Sequence, residues 1–160
     1  MHLFFRLLAA GVMITQIGGH TVPGGKHMKA TGIFDVKVTP AETTTFEKAF
    51  NVGRYEIEKE WSGDFSGTSK GEMLTTFTES SGSMAYVAME QVTGKLNGRS
   101  GSFYLAHKAT MTKGDTASGE MHIVVVKGSG IGELAGLSGE LTIIIDASGK
   151  HSYVFEYELS

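Results

Sequence analysis

The chain contains no cysteine, and that one absence removes disulfides, iron–sulfur clusters, thiolate zinc sites and cysteine nucleophiles together. It leaves the redox compartment open, because an exported protein that needs no cross-link lacks cysteine as readily as a cytoplasmic one. An excess of one charge is missing too. Fourteen Lys and Arg stand against 17 Asp and Glu, the basic residues form no run, and no nucleic-acid partner is expected. Proline occurs only twice. The apolar stretch Leu7 to Ile14 is too short to span a bilayer, so no stable membrane insertion is expected. Helical periodicity is nearly absent from Lys29 onward.

What is abundant is glycine, 22 residues of it, set among short runs of Thr, Ser, Val and Ile. That is the composition of many strands joined by tight turns. At 160 residues and 41% hydrophobic, the chain suits one domain with a real core.

Residues 1–27 read as an N-terminal extension. Arg6 followed by Leu7 to Ile14 is similar to a signal peptide, but Phe4 and Phe5 precede the arginine and no A-x-A cleavage site follows. The segment is either a degenerate export signal or a poorly ordered lead-in. Gly18, Gly19, Pro23, Gly24 and Gly25 form a flexible linker in both cases. The domain proper is expected over 28–160. The protein is expected in the cytoplasm, or in the periplasm or outside the cell if residues 1–27 act as a signal.

Within the domain, Phe34, Val36 and Val38 alternate with Asp35 and Lys37 in a strand ended by Pro40. Ala41 to Asn51 is the one stretch with room for a helical turn, and its threonines argue against it. Tyr55, Ile57 and Trp61 alternate with Glu56, Glu58 and Glu60. Gly63, Gly67 and Gly71 suggest a bend or bulges before a further strand over Glu72 to Thr78. Asn97-Gly98 is a strong hairpin signal. Counted back from it, Leu96 faces Arg99, Val92 faces Phe103, Glu90 faces Leu105, Ala88 faces His107 and Tyr86 faces Ala109. These residues share one face, the candidate interior, and Glu90 and Tyr86 are diagonal neighbours of His107. Val87 and Met89 then point outward, where exposed apolar residues mark a subunit interface. In the last strand His151, Tyr153, Phe155, Tyr157 and Leu159 form one face. The pattern also turns Leu141, Ile143 and Ile145 inward, which requires a three- or five-residue connection to that strand rather than four. The count is about eight strands, the number at which an antiparallel barrel interior is filled by side chains or holds one small ligand. An all-β fold, a closed or nearly closed antiparallel barrel, is therefore expected.

Several stretches resemble a bacterial family known as domain of unknown function 3224. They include Met28-Lys-Ala-Thr-Gly-Ile-Phe, Ser62-Gly-Asp-Phe-Ser-Gly-Thr-Ser-Lys-Gly-Glu-Met73, Tyr86-Val-Ala-Met-Glu90, Gly98-Arg-Ser-Gly-Ser-Phe103, Gly128-Ser-Gly-Ile-Gly-Glu-Leu-Ala-Gly-Leu-Ser-Gly139 and His151-Ser-Tyr153. The resemblance covers essentially all of 28–160. It implies an allene oxide cyclase-like barrel, the fold shared with plant dirigent proteins, association as homodimers or homotrimers, and a small hydrophobic molecule held in the barrel. The carboxylate and asparagine of allene oxide cyclase's first strand have no counterpart in Thr31-Gly-Ile-Phe-Asp-Val36, so the likeness carries fold rather than chemistry.

Glu90 with His107 is the candidate catalytic pair. A carboxylate beside an imidazole fixes one tautomer and leaves the other ring nitrogen to exchange a substrate proton; a buried structural pair satisfies the same two groups. Tyr86, Trp61, Phe103, Tyr153, Phe155 and Tyr157 are candidate pocket walls, and ordinary core packing accounts for them equally. Glu72 and Arg99 are further candidates, each set against a solvated surface role. Gly128 to Gly139 lacks the Gly-Lys-Ser/Thr ending of a phosphate loop and reads as turn geometry. No HxH or HExxH spacing is present, and neither a metal nor a cofactor is expected. Two functions remain open: a binder of a small hydrophobic molecule, or a cofactor-free isomerase or cyclase using Glu90 and His107.

Overall fold

The period-2 alternation becomes nine strands in a computed structural model that describes residues 26–113 and 115–160. They are β1 (Met28–Pro40), β2 (Val52–Gly63), β3 (Phe65–Thr78), β4 (Ser83–Leu96), β5 (Arg99–Thr112), β6 (Asp115–Val125), the two-residue β7 (Ile131–Gly132), β8 (Leu137–Ile145) and β9 (His151–Leu159). Every pairing between them is antiparallel. β4 also pairs with β5 and β1 with β9, so β1, β2, β3, β4, β5, β6, β8 and β9 close into an eight-stranded barrel, with β7 an addition beside β5. Closure gives each of these eight strands a paired neighbour on both sides, the β6–β8 seam through the pair Val124–Glu140. The extension expected over residues 1–27 falls almost entirely outside the described residues. Among those described, no helix is long and apolar enough to cross a membrane.

The β4–β5 register follows the count from the turn: Leu96 opposite Arg99, Glu90 opposite Leu105 and Ala88 opposite His107. Asn97 and Gly98 both have positive φ, 47° and 86°, as a type I′ turn requires. The Asn97 side chain donates to the Tyr157 hydroxyl at 2.8 Å, tying the hairpin to β9. β8 and β9 are joined by the five residues 146–150, which set Ile145 opposite His151 and Ile143 opposite Tyr153. Asp146 braces this loop by accepting from the backbone N–H groups of Ser148 and Lys150.

Two expectations are corrected. β3 runs unbroken from Phe65 through both Gly67 and Gly71, so these glycines allow close strand approach instead of ending a strand. A Cβ on Gly71 would lie 2.1 Å from the Met89 carbonyl oxygen. The second correction is a short helix, α1 (Thr45–Ala49). Its threonines help it: Thr44 stands outside as N-cap, its hydroxyl accepting from the Glu47 N–H while the Glu47 carboxylate accepts from the Thr44 N–H.

The barrel interior divides in two. At one end Trp61, Phe65, Phe103, Tyr153, Phe155 and Tyr157 pack with Leu96, Leu137 and a fully buried Leu134 from the glycine-rich segment. Phe155 stacks on Tyr157 and Phe103, ring centroids 5.1 and 6.0 Å apart. At the other end the inward residues are smaller or more slender, and Ile57, Met73 and Ala88 form a separate cluster with Val38, Tyr55 and Tyr86.

Candidate functional site

Four neighbouring strands bring polar groups to the boundary between the two halves. On β4 the inward positions run Tyr86, Ala88, Glu90, Val92; on β5 they run Phe103, Leu105, His107, Ala109. β2 contributes Lys59 between Ile57 and Trp61, and β3 contributes Ser69, paired across from Lys59. Gly71 lies directly opposite Glu90, and its lack of a side chain lets β3 come close to β4 at that point.

Glu90 is fully buried and receives three groups. Lys59 Nζ lies 2.7 Å from its Oε2, the Ser69 hydroxyl donates to its Oε1, and His107 Nε2 lies 3.1 Å from Oε2. Trp61 Nε1 in turn donates to Ser69 Oγ at 2.8 Å. His107 Nε2 is close to the carboxylate but off the line of a good hydrogen bond, so this buried nitrogen has no aligned partner. Lys59, itself only 6% exposed, places its ammonium 5.1 and 5.0 Å from the Phe34 and Trp61 ring centres, within cation–π reach.

The electrostatics follow from burial and these neighbours. Burial alone pushes the Glu90 carboxyl up, but the Lys59 charge and the His107 contact outweigh it and hold the group down at about 2. His107 moves down, because burial and the Lys59 charge outweigh the pull of Glu90. His151 is lowered by burial and by Lys59, against Asp35 and Asp146. Burial and the Glu90 charge push the Tyr86 hydroxyl up to about 12, so it remains a donor. At neutral pH the site is an ion pair flanked by two neutral imidazoles.

Above this cluster lies a cavity of about 90 Å³. Its walls are mostly apolar, with Phe34, Val36, Ile57, Met73, Ala88, Met121 and Ile143 among them, and Lys59, Tyr86, His107, Thr110 and His151 add the polar points. The void described in the packed half is about 10 Å³, too small for more than a water.

Glu90, His107 and Tyr86 are thus brought together. Trp61, Phe103, Tyr153, Phe155 and Tyr157 lie in the packed half, where they support the site from below and do not line the larger cavity. Glu72 and Arg99 lie outside the cavity. Glu72 is exposed on the outer face of β3 and pairs with Arg54 at 2.9 Å. Arg99 is exposed beside the turn at the packed end, away from the opening. Lys59, Ser69 and His151 were not anticipated as site residues. The signal for Lys59 was there, since it shares parity with Ile57 and Trp61. Among the described residues no group of three or more His, Asp or Glu side chains stands ready to hold a metal ion.

These features define a closed antiparallel eight-stranded barrel, solid at one end and hollow at the other, with a buried ion pair on the floor of the hollow. A family model described as protein of unknown function (DUF3224) matches residues 30–157. The chain belongs to that family. It is similar to the crystal structure of a protein of unknown function from the same family in Shewanella oneidensis MR-1, with 42% identity, a TM-score of 0.75, and 84% of this chain and 99% of that one covered. No curated protein matches the chain.

Proposed function

We propose that the barrel binds a small hydrophobic molecule in its open half and releases it unchanged. The observation that carries this reading is the contrast between the two halves: rings pack one around a void of about 10 Å³, while the other keeps a largely apolar cavity of about 90 Å³ with five polar residues at its walls. Ligand sites combine apolar walls with a few convergent polar groups in this way. A buried ion pair adds to the case, since such a pair is seldom needed for stability. The same reading takes the barrel as allene oxide cyclase-like, on the resemblance of its sequence motifs and on its eight antiparallel strands. The exposed Val87, Met89 and Tyr104 on the outer face of β4 and β5 favour self-association as a homodimer or homotrimer. Native mass spectrometry of the protein purified from its own host tests the binding reading. A retained small molecule is expected; a bare chain whose melting temperature no apolar probe raises would refute it.

A second reading, an isomerase or cyclase, draws on the unaligned Nε2 of His107 beside Glu90. With its carboxyl held near 2, Glu90 is a poor base at neutral pH, so in this reading it positions the imidazole and His107 moves the proton. His107→Gln then abolishes turnover of a hydrophobic substrate while the fold survives, and equal loss of folding refutes it.

A further inference from the structure

The charged groups of the site are unevenly displayed. Lys59, His107 and His151 line the cavity, while among the described residues no aspartate or glutamate does. Glu90, the carboxylate of the cluster, is 0% exposed and sits behind Lys59 and Ser69. A molecule entering from the open end therefore meets nitrogen bases, the Tyr86 hydroxyl and Thr110 against a wall that is otherwise apolar.

We infer that the ligand of this cavity is a small weak organic acid, an apolar body bearing one carboxylate, which enters head first and sets that carboxylate against Lys59, His107 and His151. The inference rests on the reading of the cavity as a ligand site and names its ligand class. The ammonium of Lys59 and the carboxylate of Glu90 already neutralise each other, so a second carboxylate arriving alone would be an unbalanced charge in an apolar space. Proton uptake by one of the two imidazoles restores neutrality. Both are neutral in the empty site, lowered by burial and by Lys59. Around His107 stand Glu90 of β4 at 3.1 Å, the Lys59 charge of β2, and Tyr86, its diagonal neighbour on β4. His151 faces Lys59, with Asp35 of β1 and Asp146 of the β8–β9 loop on its other sides. Because the tail of the acid points to the opening, its length is not limited by the 90 Å³ of enclosed space.

The test is calorimetric titration of the intact protein with hexanoate, 1-hexanol and hexylamine at pH 8, 7 and 6, in two buffers of different ionisation heat. Hexanoate, ionised throughout this range, is expected to bind best, its affinity rising by up to about tenfold per pH unit as the pH falls, with one proton taken up. Hexylamine is expected not to bind. His151→Gln, at a half-buried position outside the ion pair, is expected to weaken hexanoate about tenfold and leave hexanol unchanged. Hexanol binding as tightly as hexanoate at pH 6, or hexanoate binding without proton uptake, overturns the assignment of ligand class while the cavity reading stands. Failure of all three probes to bind overturns both.

Discussion

Replacing Lys59 by Met removes the one cation hydrogen-bonded to a fully buried carboxylate, and the consequence can be worked out. In the native protein Glu90 sits at about 2, against an ordinary 4.5. A drop of that size corresponds to about 3 kcal/mol of stability. Because the folded value is depressed, this contribution is present above pH 4.5 and is lost as the pH falls from there towards 2. In Lys59→Met, burial, the largest influence on Glu90, has no ammonium to oppose it. The carboxyl then rises above its unfolded value, so the remaining stability is greatest below that value and declines as the pH rises through the new folded one. Breaking a buried pair from one side typically costs about 3–5 kcal/mol. Urea denaturation followed by tryptophan fluorescence, which reports Trp61 directly beneath the site, is expected to show that loss at pH 7. It should also show a reversed trend between pH 7 and pH 4: the variant gains stability on acidification where the parent does not. The double variant Lys59→Met/Glu90→Gln should recover most of the loss. A single variant that loses less than about 1 kcal/mol and keeps the parent's acid profile would refute the reasoning.

Three further predictions follow from the same coordinates. Tyr153→Phe leaves the buried Phe65 N–H, which donates to the Tyr153 hydroxyl at 2.9 Å, without a partner; a loss of about 1–3 kcal/mol in urea unfolding is expected, and an unchanged midpoint would count against that hydrogen bond. Gly71→Ala sets a methyl group 2.1 Å from the Met89 carbonyl oxygen and 2.8 Å from the Glu90 Cα. Overpacking against backbone is expected to lower stability by roughly 2–3 kcal/mol, and thermal unfolding at the parent's temperature would show that β3 and β4 have room to separate. Since the folded value of His107 lies below its ordinary 6.5, the unfolded chain binds more protons just under that pH, and stability should decline as the pH falls from 6.5. His107→Gln removes that part of the decline, and a variant whose profile between pH 7 and 5 matches the parent's would assign it elsewhere.

How far the sequence discloses this arrangement depends on whether a feature is local. The β4–β5 hairpin is legible because Asn97-Gly98 fixes the turn and alternation then fixes every pairing back to Tyr86 opposite Ala109. The inward face of β8 is legible for the same reason, since Leu141, Ile143 and Ile145 outweigh an uncertain loop length. Glu72 was left open between pocket and surface because the strand was taken to begin after Gly71, which left its inward face unassigned. Once alternation starts at Phe65, the odd positions Ser69 and Met73 turn inward and Glu72 must turn outward. Lys59 was passed over because a strand lysine ordinarily faces water, and its partner lies 31 residues away on a strand that is not its neighbour in the sheet. The division of the interior was hidden as well. Every inward ring was an equal candidate for a pocket wall until the Leu134 segment closed one end and gathered the rings there, where large rings fill space and leave none to line.

Because the filled end and the hollow end draw on different residues of the same eight strands, the barrel separates what holds it up from the space it encloses. Most of the ring stacking, the Tyr153 and Asn97 hydrogen bonds and the buried Leu134 belong to the base. The rim positions Val36, Val38, Met84, Met111, Ile143 and Ile145 carry no hydrogen-bonded side chains and only part of the core. Substitutions at the rim reshape the cup at small expense to the foundation, so across a lineage built on this plan the hollow can change shape while the scaffold stays fixed.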